Sequence, residues 1–316
     1  MGFIRYMKNM FRHDRNMKRL LNGQDESLKR IQSLFIEQRI QAYRELALST
    51  KEPGVSNEIL CDHEVVVSLT SFGQRIFDVP LAIESIMQGT VKPNRIVLWL
   101  SEEEFKGKPL PRLLELQIKR GLQVEFCEDI RSYKKLIPSL KMFPEACIIT
   151  IDDDAIYGSD LVERLIFAHR DNPKAICACR IHKVRSGKDN RPLSYLNWDY
   201  CVECYGITSN LLFPTTGGGT LFPPGCFSKE VFNQAAFMSI CPYADDIWFY
   251  AMRLMNRVPV IQVYTGKPLG YYLAMPSESL GALSKQNTSA DNCGNDIQLK
   301  AVFEKYCLYG MLKGEE

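Results

Sequence analysis

"ACIITIDDDAIYG", residues 146 to 158, runs from six apolar or hydroxyl residues into three consecutive aspartates. A continuous β-branched stretch of this length is the pattern of a strand buried on both faces. Three adjacent carboxylates repel one another, so their placement where the strand ends calls for positive charge nearby. Two carboxylates two residues apart in a turn, Asp152 and Asp154, offer hard oxygens to one divalent ion. Mg²⁺ commonly takes one or two such carboxylates and completes its shell with phosphates and water. The bland alternative is a solvated acidic turn, or an N-cap for "SDLVERLIFAHR" (159–170). Ser159 and Asp160 suffice for that cap.

Upstream, apolar runs alternate with helical patterns. "EVVVSLT" (64–70), "RIVLWLS" (95–101) and "LQVEFCE" (122–128) read as strands. "DVPLAIESIMQG" (78–89), with Pro80 in its first turn, "PRLLELQIKRG" (111–121), closed by Gly121, and "KKLIPSLKMFP" (134–144) read as helices. Strand and helix in this rhythm imply parallel strands with right-handed crossovers. Residues 60 to 155 therefore predict an open α/β sheet with a Rossmann-like first half, and ligands in such sheets bind beyond the carboxyl ends of the strands. Beyond residue 170 the pattern is less regular. Short strands ("AICACRIHKV", "VPVIQVY"), a Gly/Pro loop ("FPTTGGGTLFPPG", 213–225) and helices ("DDIWFYAMRLMN", "NDIQLKAVFEKY") continue the same domain.

Residues 1 to 58 differ. Phe3, Met7, Met10, Met17 and Leu21 recur at spacings of three, four or seven, with Arg5, Lys8, Arg12, Arg15, Lys18 and Arg19 between them. This basic amphipathic pattern suits either a membrane surface, through residues 1–22, or packing on protein. A second helix places Leu28, Ile31, Phe35, Ala42 and Leu46 near heptad spacing, interrupted by Arg39. "STKEPGVSNEI" (49–59) reads as a linker. The expected organisation is a helical extension, 1–58, and an α/β domain, 59–316.

Bulk composition is that of an ordinary globular chain. Of the 316 residues, 46% are hydrophobic and 24% charged, and the net charge of +2 gives no nucleic-acid signal. No stretch reaches the roughly 18–20 apolar residues of a membrane span. The 11 cysteines are scattered, and Cys201 and Cys204 are alone in CxxC spacing, which speaks against zinc there and for free thiols in a reducing cytoplasm.

Four pieces, in order, resemble the nucleotide-sugar glycosyltransferases of the GT-A fold, particularly the inverting family-two type. They are "VVVSLTSF" (65–72), "IDDDAIY" (151–157), "TTGGGTLFPPG" (215–225) and "YADDIWF" (243–249), and the resemblance spans roughly residues 62 to 300. It implies a UDP-sugar or related donor, Mn²⁺ or Mg²⁺, and a glycan or lipid-linked acceptor of surface polysaccharide synthesis. It implies that Thr70, Ser71 and Phe72 meet the nucleoside with Arg75 close by. Asp152 would lie near the ribose or the metal, with Asp154 as direct metal ligand and Asp153 beside it. Lys134 or Lys135 would offer charge to the diphosphate. On the acceptor side it implies Gly218, Gly219 and Trp248, the tryptophan stacking on a sugar or lying in the core. Asp246 would be the general base, with Asp245 orienting the acceptor. The late histidine by which many members add a third metal contact is missing after His182, which leaves Asp296 as a substitute. The expected location is cytoplasmic, at the inner face of a membrane, with a homo-oligomer as one form. Two other readings compete. One is a haloacid-dehalogenase-type phosphatase, in which Asp152 is a nucleophile but Ile156 breaks the motif. The other is a membrane-associated scaffold without catalysis.

Overall fold

The computed structural model describes residues 27, 30–31, 33–187, 189–266, 272–279, 287–289 and 293–312. The basic pattern of residues 1 to 22, and Leu28, lie outside the described residues.

Seven strands form one sheet: β1 (Val65–Thr70), β2 (Arg95–Ser101), β3 (Leu122–Cys127), β4 (Cys147–Ile151), β6 (Ile176–Ala178), β9 (Gly218–Phe222) and β10 (Val260–Gln262). Their order is β10-β6-β9-β4-β1-β2-β3. β1, β2, β3 and β4 are mutually parallel, as the alternation with helices α2 (Val79–Met87), α4 (Arg112–Ile118) and α5 (Ile137–Met142) requires. β9 runs antiparallel between β4 and β6, so the sheet is mixed. Two small ribbons, β5 (Ala155–Tyr157) with β11 (Tyr272–Ala274) and β7 (Ile181–Lys183) with β8 (Leu212–Pro214), flank it. The remaining helices are α1 (33–49), α3 (Glu102–Phe105), α6 (Leu161–Asp171), α7 (Gln234–Ile240), α8 (Asp245–Met255) and α9 (Gly294–Lys305).

The apolar runs are continuous because both faces of the sheet are covered. Val65, Val67 and Leu69 pack on one side with Ile83, Leu114 and Leu165; Val66 packs on the other with Tyr133, Trp248 and Phe237. Successive side chains of a strand point to opposite faces, so neither position tolerates a charge.

Four expectations are corrected. The glycine-rich stretch is not an open loop. Gly218 and Gly219 begin β9, inside the sheet, where a Cβ on Gly218 would meet Arg180 Cβ at 2.5 Å and one on Gly219 would meet Leu161 Cδ1 at 2.7 Å. The local signal of three glycines favours a turn, but pairing with Ile151 and Thr150 overrides it. The stripe expected on α1 is also not the buried one. Ile31, Phe35 and Leu46 are exposed, whereas Tyr43 packs with Leu81, Ala82, Ile156 and Met275, and Ala47 is buried. The stretch read as a linker is fastened to the α/β body, with Gly54 N donating to Arg120 O (2.8 Å) and Ser56 N to Pro93 O (2.9 Å). At the start of α6, Asp160 occupies the N-cap position, yet its carboxylate accepts from Arg164 Nε (2.6 Å) and caps nothing.

Among the described residues, no helix is long and apolar enough to cross a membrane.

Candidate active site

A cavity of about 670 Å³ opens at the carboxyl ends of β1 and β4. Thr70, Ser71, Phe72 and Arg75 form one wall, Asp152, Asp153 and Asp154 the floor, and Asp245 and Asp246 the opposite wall. The two acidic motifs, more than ninety positions apart in the chain, thus share one site. The size is that of a small-molecule pocket.

Positive charge meets the aspartates, as their mutual repulsion demands. Arg75 Nη1 donates to Asp153 Oδ1 (2.9 Å) and to Asp154 Oδ2 (2.8 Å). Ser71 Oγ donates to the other oxygen of Asp153 (2.6 Å). Burial pushes the Asp153 carboxyl above its usual range, and Arg75 and Ser71 only partly offset it. Lys135 Nζ lies 2.8 Å from Asp152 Oδ1 and 3.4 Å from Asp245 Oδ2, joining the two acidic motifs. Burial alone would raise Asp152, but Lys135, Arg180 and Arg75 bring it below the usual carboxylate range. Burial likewise acts to lower Lys135, and Asp152, Asp245 and Asp246 overcome it, so the ammonium is held charged. Of the two lysines left open by the sequence, Lys134 pairs with Asp129 at the rim.

The aim of Lys135 is set from below. Ser68 Oγ donates to Lys135 O (2.6 Å), and Trp99 Nε1 donates to Ser139 Oγ (2.7 Å), which itself lies 2.7 Å from Ser68 Oγ. These hydroxyls on the buried faces of β1 and α5 fix the 3₁₀ turn Arg131–Lys135 against the sheet.

A second brace crosses the floor. Tyr157 OH accepts from Asp152 N (2.8 Å) and donates to Gly217 O (2.7 Å). Gly217 is a glycine for space. A Cβ there would stand 1.6 Å from Asp152 Oδ2.

At the opposite wall α8 presents Asp245 and Asp246 in its first turn, where the helix dipole favours negative charge. Neither caps the helix. Asp245 accepts from Ser132 Oγ (2.9 Å), and Asp246 Oδ1 accepts from Thr216 N (2.8 Å) and Thr216 Oγ1 (2.6 Å). Burial, then the neighbouring Asp245, push Asp246 up to about 6, against the pull of Lys135 and Thr216. A carboxyl tuned toward neutrality, with one oxygen fixed, has the properties of a general base.

Trp248 does not face the cavity. It is fully buried, its indole donating to Val231 O (3.1 Å) and its ring edge-on to Phe237. One position is two residues beyond Asp246 on a helix, and that turn of about 100° per residue carries it to the core face. Gly218 and Gly219 are likewise enclosed in the sheet, and Gly217 takes the place at the cavity. Asp296 does not line the cavity, and its Oδ1 accepts from Tyr195 N (2.6 Å), fixing that turn.

Sequence reasoning missed Thr216, Tyr157 and Arg180. Arg180 breaks the run "AICACRIHKV" into β6 and β7, donates through Nε to Thr215 Oγ1 (2.6 Å) and bonds Tyr272 OH across the cavity. A lone arginine inside an apolar run was the available signal.

Asp152 and Asp154 are the residues that would hold a divalent cation in this cavity. Asp152 and Asp154 line the cavity, and among the described residues no third carboxylate, His or Cys atom closes on them as a compact ligand trio. Two protein oxygens are the usual complement for Mg²⁺ or Mn²⁺ when a substrate diphosphate supplies others.

No family model matches the chain, and none of the curated proteins does. Among solved structures it is similar to CMP:2-keto-3-deoxy-manno-octonic acid synthetase complexed with CTP. The TM-score is 0.37 and the identity 13%, over 71% of this chain and 99% of that one. An overlap of that size carries no argument about chemistry.

Proposed function

We propose that the protein is a metal-dependent glycosyltransferase that moves a sugar from a nucleoside diphosphate donor, a UDP-sugar, to a hydroxyl of a glycan or lipid-linked acceptor with inversion. One observation supports this above the others. The aspartates that end β4 and those that open α8 face each other across one cavity, coupled by the ammonium of Lys135.

The donor lies on the β1–β4 side. Ser71, the exposed ring of Phe72 and Arg75 receive the nucleoside, and Asp152 and Asp154 would hold the ion. When bound, that ion supplies positive charge to the diphosphate leaving group. Arg75 and Lys135, which pair with these carboxylates, would present their positive charge to the phosphate oxygens of the donor. Asp246 Oδ1 stays on Thr216, and Oδ2 takes the acceptor proton. The acceptor oxygen bonds to the anomeric carbon, the bond from that carbon to the phosphate oxygen breaks, and the diphosphate leaves with the electron pair. Asp245, held by Ser132 and Lys135, orients the acceptor side. The reading extends to a cytoplasmic enzyme held at the inner membrane face by residues 1–22, working alone or as a homo-oligomer.

The test is calorimetric titration of UDP and GDP, with and without Mn²⁺, on the wild type and on Asp154→Ala. Metal-dependent UDP binding that Asp154→Ala abolishes supports the reading. A folded protein that binds neither nucleotide overturns it, and hydrolysis of phosphate monoesters in its place would restore the phosphatase.

A further inference from the structure

The amino end of β4 carries a second cluster of chemically capable side chains, remote from the cavity. Cys147 opens the strand and Asp152 follows its end, so about 16 Å of extended chain separates them. Here Cys61, Cys147 and His169 bring their ligand atoms within 4.8 Å of one another. Cys147 Sγ and His169 Nε2 are 3.3 Å apart. In a tetrahedral zinc site with Zn–S of about 2.3 Å and Zn–N of about 2.05 Å, ligand atoms stand ~3.8 Å (S to S) and ~3.6 Å (S to N) apart. The trio is already near those edges.

The cluster is built from three separate segments, each tied down. Cys147 N donates to Glu64 O (2.8 Å), which fixes the approach to β1 beside the start of β4. Arg170 Nε donates to Leu60 O (3.0 Å), which fixes Cys61 beside the last turn of α6, where His169 stands. Cys61 Sγ donates to His63 O (3.2 Å), and the His63 ring lies 6.4 Å from that of His169. Cys147 and His169 are buried, while Cys61 is half-exposed and gives a path from solvent.

We propose that Cys61, Cys147 and His169 bind a zinc ion, the two sulfurs as thiolates and the ring through Nε2, with the fourth position facing His63 and solvent. Binding releases the two thiol protons to water. Two thiolates and a neutral imidazole cancel the charge of the ion, so the complex can sit at a buried strand end without a further counter-ion. The ion staples the chain entering β1 to β4 and α6. The proposal does not rest on the transferase reading.

The test is cobalt substitution on the full, reduced chain stripped with chelator, carrying Asp154→Ala so that the acidic cavity does not compete. The expected result is a thiolate-to-cobalt charge-transfer band with intense tetrahedral d–d bands, saturating at one ion per chain and bleached by Zn²⁺. Cys61→Ser loses the charge-transfer intensity, whereas Cys307→Ser, at an exposed thiol elsewhere, keeps it. Zn²⁺ raises the melting temperature of the parent and not of Cys61→Ser. A pale octahedral spectrum in the parent overturns the proposal, as does undiminished intensity in Cys61→Ser. So does a Cys61–Cys147 disulfide found in place of metal in freshly purified protein. Cys61 is half-exposed, so its variant decides even where Cys147→Ser fails to fold.

Discussion

Lys135 holds its ammonium 2.8 Å from a carboxylate oxygen of Asp152, the aspartate that follows β4, while its own backbone carbonyl is pinned to Ser68 in the neighbouring strand. The same nitrogen reaches Asp245 at 3.4 Å. One buried cation therefore sets the charge of both halves of the cavity. Lys135→Met should remove the cation that pairs with Asp245 and leave Asp152 only the charges of Arg180 and Arg75. Breaking a buried pair by removing one partner typically costs about 3–5 kcal/mol. The variant should unfold at lower denaturant, and its acid limb of activity should move above that of the wild type, because Lys135 no longer holds Asp246 down. An unmoved limb in a folded variant would refute the coupling.

Asp246 gives the pH dependence a definite sign. As general base it must be ionised, so kcat/KM should fall as pH drops through about 6. Asp246→Asn keeps the oxygen that Thr216 contacts and should lower kcat by about 10²–10⁴-fold. Stability runs the other way. The native carboxyl holds its proton to about 6, whereas the unfolded chain releases it near 3.8, so this residue contributes stability at low pH that is lost as pH rises through that window. Asp246→Asn should therefore be more stable than the wild type at pH 7 and flatter in its pH profile between those values. Urea titrations at several pH values measure both.

Gly217→Ala isolates the position of Asp152. The new methyl collides with a carboxylate, the mobile end of a side chain, not with backbone. The fold should survive, with a fall in melting temperature no greater than that of Lys135→Met, which breaks the same pair, while metal-dependent nucleotide affinity falls about tenfold or more, a loss of ~1.4 kcal/mol. Unchanged affinity would show that Asp152 does not hold the donor.

Arg75→Ala removes the cation shared by Asp153 and Asp154. Without metal the two carboxylates are left facing each other, and denaturation should show a clear loss of stability. Adding Mn²⁺ should recover part of it, because the ion restores positive charge at the same place. Equal destabilisation with and without Mn²⁺ would argue that no ion binds there.

Trp248→Phe should cost about 1–3 kcal/mol of stability through the lost indole bond and volume. The acceptor KM should not change. A selective rise in KM at wild-type stability would return the ring to the acceptor site.

The sequence by itself determined the strand–helix alternation from Val65 to Ile151, because unbroken apolar runs and helix periodicity are local consequences of burial on two faces. It also marked both acidic motifs, since aspartates at a strand end and a helix start are legible by position. The tertiary structure alone decided which groups answer them. Lys135 and Lys134 are adjacent in the chain and both line the cavity, and the Ser68 hydroxyl that holds the Lys135 carbonyl helps to set Lys135, not Lys134, between Asp152 and Asp245. Three glycines look like a loop until Thr150 and Ile151 draw two of them into an antiparallel strand. Cys61, Cys147 and His169 meet only because β1, β4 and α6 converge at one end of the sheet. Local pattern reports what a residue needs to be buried beside; contacts between distant segments are fixed by packing, which no spacing along the chain records.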